Sequence, residues 1–599
     1  MTRLARVAFA VLVLATLGAF VVTQKLKSSP PLVVRPHIFS VFSPTPDARV
    51  TRARLSFWIV NGDNVSVSIV DDEGRIVRRL VDGRFLRKRK RLVLFWNGRG
   101  DDGLVARDGA YRVRVALIHQ GRTIDLAQPI EVDTRPPRPR VTDVSPRRDG
   151  PAFLPQRGVH AVTIHLAGLE GRSARVLIYR TDVSPPRRVG QLHVGFGART
   201  VAWDGTLGGR PAPAGTYLMG LLAADRSGNV GTFPRRLPPA DVVGGHAGVT
   251  VRRLVASPPL TPVDAGKIAV VFVDARGRAY DWALRRLGDP KLVAHGRDSG
   301  ARLRVRTPRG QSGVYELTLA TRHGGYRTTV PIVVRTTKPR ALLVVLPALT
   351  WQGRNPIDDD GDGMPNVLDA GPRASALLTR PLAHGMPGGF AQGEGALLRF
   401  LDDNLYRYDL TTDAALADGA GPPLGTHRGV VLAGDPRWIT PQTRDKLRRW
   451  VHDGGHVWSP GVDALRRTVR LDGGTLRAPS APQPTDALGA RPRQPLARVG
   501  ADAPATITTY EEGTLGLFEG TSGAFSGYES YETLAGVMPG ARLDGQAGVE
   551  AGVPVIAAWT LGSGFAIHTG LPQLVANAQA GDPDADALVR RILTLLARP

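Results

Sequence analysis

The stretch FWNGRGDDGLVARDGAYRV, residues 95–113, decides the fold of the N-terminal half, because its order returns as AWDGTLGGRPAPAGTYLM, residues 202–219. In each copy a tryptophan ends an apolar run, and an Asn-Gly or Asp-Gly pair then supplies a tight turn. A tyrosine opens the next run, in which apolar and polar residues alternate as in a half-buried strand. The same order at a fixed spacing indicates an internal repeat. The sequence therefore predicts two copies of one β domain, with a structural role at every repeated position.

The strand that ends in Trp-Asp-Gly and the later Gly-x-Tyr strand resemble the immunoglobulin-like repeat of flagellar hook-capping type, which is found in secreted bacterial proteins. The resemblance implies β-sandwiches over residues 37–134 and 139–240. A third segment, residues 249–336, has similar strands, including one that starts at Gly313-Val314-Tyr315, but it lacks the Trp-Asp-Gly turn. We expect this segment to be a divergent sandwich.

The pattern changes at Ala341–Leu346, a continuous apolar run that is typical of a strand buried on both faces. Segments of helical spacing then alternate with short apolar strands, as in Thr440–His452 followed by His456–Trp458. Such alternation predicts a doubly wound, flavodoxin-like parallel sheet covered by helices. Residues 340–599 are therefore expected to form an α/β domain, with a long loop at residues 478–505.

Four stretches of this domain resemble the N,N-dimethylformamidase large-subunit family, which has a glutamine-amidotransferase-like fold. They are LVVLPALTWQGRNP (343–356), GVVLAGDPRW (429–438), WVHDGGHVWSPG (450–461) and LGSGFAIHTGLP (561–572). The chain has no cysteine, so glutaminase chemistry, which needs a cysteine nucleophile, is excluded. The resemblance implies an iron held by two tyrosines and a glutamate. Tyr406, Tyr408, Glu394 and Glu512 are the nearest residues of these types, but we expect packing and surface roles for them and no iron.

One motif carries specific metal chemistry. Residues 358–369 read DDDGDGMPNVLD, which has aspartates at loop positions one, three and five and a glycine at position six. This spacing resembles the calcium loops of thrombospondin type-three repeats, and oxygen ligands at these positions suit Ca²⁺. The predicted ligands of a structural calcium ion are Asp358, Asp360, Asp362, the Met364 carbonyl, Asn366 and Asp369. The alternative is a solvated acidic turn.

The N-terminus predicts export. Arg3 and Arg6 precede the uncharged run Val7–Val22, and the basic pair Lys25 and Lys27 follows. No small-residue cleavage site follows the run, so residues 1–30 are expected to form an uncleaved signal anchor and stalk. This predicts a single-pass plasma-membrane protein with most of the chain outside the membrane. Secretion after signal cleavage is the alternative.

The net charge of +25 raises nucleic acid as a partner, but almost all of this charge is arginine in a chain rich in Ala, Gly and Pro. Biased coding explains such a composition. The basic stretch Arg84–Arg91 has only Phe85 as an aromatic neighbour and lies between two predicted strands. A solvated hairpin loop is the favoured interpretation, and no nucleic-acid partner is expected.

Two classes of function remain open. The first is a non-catalytic envelope protein whose sandwiches present a calcium-stabilised head to a wall polymer, a glycan or a partner protein. The second is a metal-dependent amide hydrolase related to the dimethylformamidases. Asp435 and Ser459 follow predicted strands, where α/β enzymes keep functional groups, but turn formation is their favoured role, so no catalytic or cofactor-binding residue is predicted.

Overall fold

The computed structural model describes residues 3–27, 31–147, 152–154, 160–169, 173–239, 244–310, 312–323, 325–500 and 502–598. Most of the regular structure is β-strand, arranged in three N-terminal sandwiches and one large C-terminal sheet.

The chain begins with the helix Arg3–Lys27. Among the described residues, no helix is long and apolar enough to cross a membrane. The uncharged run Val7–Val22 spans roughly 24 Å at about 1.5 Å per residue, short of a hydrocarbon core of about 30 Å. The predicted signal anchor and the single-pass plasma-membrane location are therefore wrong. Residues 28–30 of the predicted stalk lie outside the described residues.

The first sandwich packs two sheets face to face. Its smaller sheet contains Val33–Ile38, Ala53–Ile59 and Arg91–Trp96. Its larger sheet contains Val41–Phe42, Ile130–Val132, Gly109–Leu117, Asp63–Val70 and Ile76–Leu86, with Arg122–Asp125 beside Gly109–Leu117. The inward residues of both sheets form one apolar core, and this two-sheet arrangement is immunoglobulin-like.

The second sandwich repeats this plan. Its smaller sheet contains Arg140–Ser145, Val162–Ala167 and Thr200–Trp203. Its larger sheet contains Ala152–Leu154, Gly248–Val251, Gly215–Ala224, Ser173–Arg180 and Arg187–Val194, with Val230–Phe233 beside Gly215–Ala224. A short hairpin joins Thr206–Leu207 and Arg210–Pro211. Because Gly248–Val251 pairs with this sheet, the third sandwich begins after residue 251.

The repeated tryptophans occupy equivalent places in the two sandwiches. Trp96 is 1% exposed, its ring centroid lies 5.1 Å from that of Tyr111, and its Nε1 donates to the Arg99 carbonyl at 2.9 Å. Trp203 is equally buried, lies 5.5 Å from Tyr217, and donates to the Thr206 carbonyl at 2.9 Å. The Trp-turn-Tyr order therefore builds the same core contact twice, which confirms the structural interpretation of the repeat.

The third sandwich has a three-stranded sheet of Val255–Ser257, Ile268–Asp274 and Arg302–Arg306. Its second sheet contains Val263–Asp264, Arg327–Arg335, Gly313–Thr321, Tyr280–Arg286 and Leu292–Asp298. An ion pair joins this sandwich to the C-terminal region. Arg286 donates to both carboxylate oxygens of Asp402, at 2.9 and 2.7 Å, and the Tyr408 hydroxyl donates to the same carboxylate at 2.9 Å.

The C-terminal region is built on one nine-stranded sheet. Its order is Tyr408–Thr412, Leu342–Leu346, Gly429–Leu432, His456–Ser459, Gly564–His568, Val553–Leu561, Arg542–Glu550, Ala505–Glu511 and Ala524–Tyr528. The first five strands are parallel and the others antiparallel. Leu342, Val344 and Leu346 pack into one core, and Leu343 and Val345 pack into another, so the strand is buried on both faces.

Helices cover both faces of this sheet. The α-helices are Ala348–Gly353, Glu394–Asp403, Asp413–Ala417, Pro441–His452, Leu574–Gln579 and Pro583–Leu596, and the 3-10 turns are Leu368–Ala370 and Leu424–Thr426. Thr440 caps the helix Pro441–His452, because its side chain accepts the N–H of Thr443. The described part of this region also contains four small sheets. One has three strands, Ser375–Leu377, Thr475–Arg477 and Arg470–Asp472. The other three each have two strands: Trp438–Ile439 with Arg467–Thr468, Ala490–Pro492 with Leu534–Val537, and Ala497–Arg498 with Ser530–Tyr531. Two of these strands lie inside the predicted long loop.

Candidate functional site

A cleft of about 610 Å³ opens at the carboxyl ends of the parallel strands. Its walls are the segments that follow four of these strands, beginning at Pro347, Gly434, Pro460 and Leu571, together with the loop at residues 382–394. In this sheet Leu342–Leu346, the first of the parallel strands along the chain, lies between Tyr408–Thr412 and Gly429–Leu432, the second and the third. The order of the strands therefore reverses beside Leu342–Leu346. Open parallel sheets place ligands at such a reversal.

Glu394 is the buried acid of the cleft. It is the first residue of the helix Glu394–Asp403, is 5% exposed, and accepts a hydrogen bond from Trp351 Nε1 at 2.9 Å. Burial raises the pKa of Glu394, although the bond from Trp351 opposes this rise. Gly434 has φ of 63°, and a Cβ there would lie 2.6 Å from Cδ of Glu394. The glycine therefore makes room for the carboxyl group.

Asp435 is the open acid of the cleft. It follows the strand Gly429–Leu432, and its Oδ1 accepts the N–H of Val462 at 2.8 Å. Partial enclosure by the cleft raises the pKa of Asp435, while the bond from Val462 opposes the rise. The charge of Asp435 also raises the pKa of Glu394. Two carboxyl groups of the cleft thus bind protons more tightly than free carboxyl groups do.

The acidic loop lies beside the second sandwich. One carboxylate oxygen from each of Asp358, Asp360 and Asp362 lies within 4.8 Å of the others. Asp358 accepts the N–H groups of Gly361 and Gly363, at 2.7 and 3.0 Å, and Gly363 has φ of 87°. Burial, and then the charge of Asp362, raise the pKa of Asp358 well above its ordinary value. Without a cation these carboxylates repel one another.

The other predicted calcium ligands fall into two groups, one at the acidic loop and one away from it. Asn366 lies at the loop, because its Nδ2 is 3.4 Å from Oδ2 of Asp360, and Met364 donates its N–H to Asp362 at 2.7 Å. Asp369 instead lies in the 3-10 turn Leu368–Ala370, where it accepts Nε of Arg437 at 2.9 Å. The structure thus brings Asp358, Asp360, Asp362, Met364 and Asn366 together and engages Asp369 elsewhere.

The loop is also an interdomain contact. Thr181 of the second sandwich donates its hydroxyl to the Gly363 carbonyl at 2.6 Å, and the Gly248 N–H donates to the Gly361 carbonyl at 2.8 Å. Gly363 packs so closely on Leu218 that a Cβ would lie 2.9 Å from the Leu218 Cα. Order in the loop therefore affects how the second sandwich attaches to the C-terminal region.

The residues that an iron site would need are dispersed. Tyr408 donates to Asp402 at 2.9 Å, Tyr406 stacks on Phe400 with ring centroids 6.5 Å apart, and neither lines the cleft. Glu512 is exposed in a loop, and Glu394 alone of the four faces the cleft. No tyrosine among the described residues lines the cleft, so the residues present do not fit an iron held by two tyrosines and a glutamate.

A second buried group was not predicted from the sequence. Ser459 and His568 are paired in register at the carboxyl ends of adjacent strands, and His568 Nε2 lies 3.4 Å from Oε2 of Glu532. The other oxygen of Glu532 accepts the N–H of Asp463 at 2.9 Å and Nε2 of Gln494 at 2.6 Å. Glu532 therefore anchors the segment that carries one wall of the cleft. The only sequence signal for this pair was His568 at the end of an apolar strand.

Comparison with known proteins gives one family match. Residues 300–509, about a third of the chain, match the family described as N,N-dimethylformamidase beta subunit-like, C-terminal. No curated protein matches the sequence.

Solved structures give weak likenesses. PorZ, a surface component of the type-IX secretion system of Porphyromonas gingivalis, is 20% identical, with a TM-score of 0.12, over 16% of this chain and 11% of its own. FlgD of P. aeruginosa is 20% identical, with a TM-score of 0.13, over 24% of this chain and 91% of its own. The N-terminal four Ig domains of Dscam1 are 17% identical, with a TM-score of 0.12, over 50% of this chain and 72% of that chain. Scores this low establish neither a shared overall architecture nor a shared function.

Proposed function

We propose that residues 340–599 form an α/β head of glutamine-amidotransferase-like type, which binds a small polar ligand in the cleft, and that the three sandwiches are a spacer that presents this head. The cleft at the carboxyl edge of five parallel strands is the observation that carries the proposal. Its volume of about 610 Å³ lies within the ordinary range of small-ligand sites.

The chemistry of the cleft favours a ligand rich in hydroxyl or amide groups, such as the end of a glycan or wall polymer. Glu394 and Asp435 offer carboxyl oxygens that can accept hydrogen bonds from the hydroxyl and amide groups of a ligand. Gln392 and His384 add further polar groups, and Trp351, which is 6% exposed, supplies an apolar wall. A neutral polyol would meet both kinds of surface at once.

Asp435→Ala should weaken ligand binding about tenfold, because a hydrogen bond to a charged group contributes about 1.5–3 kcal/mol and tenfold in affinity is about 1.4 kcal/mol. The measurement is calorimetric titration of the whole protein with a tetramer of N-acetylglucosamine. Asp445→Ala, an exposed aspartate on the helix Pro441–His452, is the matched control and should bind as the wild type does. Equal affinity in both variants, or no saturable binding, would contradict the proposed site.

We also propose that the acidic loop holds a structural calcium ion. The close carboxylates of Asp358, Asp360 and Asp362 and the burial of two of them support this, since a cation would offset their repulsion. The proposed ligand set is these three aspartates with the Met364 carbonyl and Asn366. Asp369 is left out because it pairs with Arg437.

Calcium should raise the thermal stability of the protein. At ~1 mM free calcium and a Kd of ~0.1 mM, binding to the folded state contributes about 1.4 kcal/mol. Differential scanning calorimetry should show a higher Tm with calcium in the wild type and no shift in Asp360→Ala. Asp72→Ala, which changes an exposed residue of the cluster Asp71, Asp72 and Glu73, is the control and should keep the shift. A shift that survives Asp360→Ala but not Asp72→Ala would move the ion to the first sandwich.

Amide hydrolysis in the same cleft is the second candidate, because the family match covers much of the cleft wall. The dispersed tyrosines do not support an iron mechanism, so hydrolysis would have to depend on Glu394 and Asp435 as acid and base. Turnover of formamide or glutamine that is lost in Asp435→Asn would favour this candidate. Stoichiometric iron with turnover lost in Tyr408→Phe would restore the iron mechanism.

A further inference from the structure

A second cavity of about 710 Å³ lies at the opposite edge of the sheet. It opens where the strands Gly429–Leu432 and His456–Ser459 begin, whereas the cleft opens where they end. The segment 423–428, the last turns of the helix Pro441–His452, the segment 453–456 and Arg598 line it. It shares no lining residue with the cleft and is independent of the function proposed for that site.

The cavity is strongly positive. Four cationic side chains line it, against the single carboxylate of Asp453; they are Arg428, Lys446, Arg449 and Arg598. Within the described part of the chain, none of the four forms an ion pair, and Oδ1 of Asp453 lies 3.4 Å from Nδ1 of its neighbour His452. The surplus of three positive charges around one concave space favours an anionic occupant.

Two further side chains, those of His456 and Trp450, give this cavity features of a ligand-binding site. His456 is 9% exposed, stacks on Phe565 with ring centroids 4.1 Å apart, and its Nδ1 has no hydrogen-bond partner among the described residues. Trp450 is half-buried and packs so tightly on Gly455 that a Cβ there would lie 2.4 Å from the indole. The cavity thus contains a fixed aromatic wall beside a buried imidazole.

We infer that this cavity binds the diphosphate group of a small molecule. A terminal phosphate carries about −1.5 to −2 charges at pH 7 and a bridging phosphodiester about −1, so a diphosphate balances the surplus of three positive charges. Guanidinium groups bind phosphate oxygens in pairs, and a lysine adds a compact point charge. The volume leaves space for the rest of such a molecule beside Trp450.

Inorganic pyrophosphate is the probe. Calorimetric titration of the full chain at 0.15 M salt should show saturable binding, and the double variant Lys446→Ala with Arg449→Ala should bind at least tenfold more weakly. Both side chains are exposed, so the variant should keep the wild-type Tm. The matched control is Arg373→Ala with Arg470→Ala, which removes two exposed cations outside the cavity and should bind pyrophosphate as the wild type does.

Fluorescence provides a second measurement. Pyrophosphate should change the intrinsic emission of the wild type, and this change should be lost in Trp450→Phe. An equal loss of affinity in the control variant, or no saturable binding, would show that the charge of the whole chain and not this cavity attracts the anion. Tighter binding of citrate than of pyrophosphate would overturn the assignment to phosphate and point to a polycarboxylate.

Discussion

Arg380→Met should lower the free energy of unfolding by about 3–5 kcal/mol, because it leaves the carboxylate of Asp359, whose side chain is 12% exposed, without its ion-pair partner. The Arg380 side chain is 3% exposed and its Nη1 lies 2.7 Å from Oδ2 of Asp359. The same guanidinium donates to four backbone carbonyls, those of Gln352 at 2.6 Å, Asn355 and Asn366 at 3.0 Å, and Ile357 at 3.2 Å. Methionine can replace none of these five bonds.

The loss of these hydrogen bonds should affect both proposed sites, the cleft and the acidic loop. Gln352 belongs to the helix Ala348–Gly353, which carries Trp351 of the cleft, and Asn366 belongs to the acidic loop. Urea unfolding measures the stability, and calcium titration should show weaker binding in the same variant. Arg354→Met is the control, since Arg354 is 61% exposed and lies 3.7 Å from Asp369, and it should change stability by less than about 1 kcal/mol. Equal losses of stability in the two variants would show that Arg380 does not join the cleft to the acidic loop more strongly than an exposed arginine does.

Local sequence signals predicted the sandwiches well. The Trp-turn-Tyr order is a short-range pattern, and the contacts of Trp96 with Tyr111 and of Trp203 with Tyr217 close within about twenty residues of sequence. The cap at Thr440 is equally local. Such features depend on turn geometry and on the alternation of side chains, which the sequence displays directly.

The composition of the sites depended on contacts that no local pattern displays. Asp369 has the spacing of a calcium ligand, but Arg437, which is distant in sequence, binds it instead. Gly434, which is distant in sequence from Glu394, leaves the space that the Glu394 carboxyl group occupies in the cleft. The predicted N-terminal anchor is wrong for a different reason, because Val7–Val22 is hydrophobic but too short to span a hydrocarbon core of about 30 Å.

Stability should fall as the pH rises from about 5 to about 8. Burial raises the pKa of Asp413 and of Asp486 to about 7, from 3.8, and that of Glu532 to about 8, from 4.5. The folded protein therefore binds these protons more tightly than the unfolded chain does. Their contribution is fully present below pH 4 and is lost as the pH passes the folded values. Each tenfold difference in proton affinity between the folded and unfolded states contributes about 1.4 kcal/mol.

The titration of His568 changes the stability with pH in the opposite direction. Burial lowers the pKa of His568 to about 4, from 6.5, so the folded state favours the neutral ring. Its contribution is present above pH 6.5 and is lost as the pH falls toward 4. The two trends oppose each other between pH 4 and 6.5, and above pH 6.5 only the carboxyl groups act. Three carboxyl groups outweigh the single imidazole, and two of them lose their protons near pH 7. Urea unfolding at pH 5, 7 and 8.5 should therefore show the larger loss of stability between pH 5 and 7 and a smaller loss between pH 7 and 8.5.

Glu532→Gln separates one carboxyl from the others and should be more stable than the wild type by several kcal/mol at pH 8.5, with the advantage shrinking toward pH 5. A glutamine oxygen can still accept the N–H of Asp463, and its amide can donate to Nε2 of His568 as a protonated glutamate would. Burial is the largest cause of the raised pKa of Glu532. The charges of Asp463 and Asp486 raise this pKa further, and the charge of Arg466 lowers it.

The control is Glu529→Gln, which changes an exposed glutamate close in sequence and should leave the pH dependence of stability unchanged. A wild type and a Glu532→Gln variant that lose stability in parallel would show that Glu532 does not hold its proton in the fold and that other carboxyl groups cause the pH dependence.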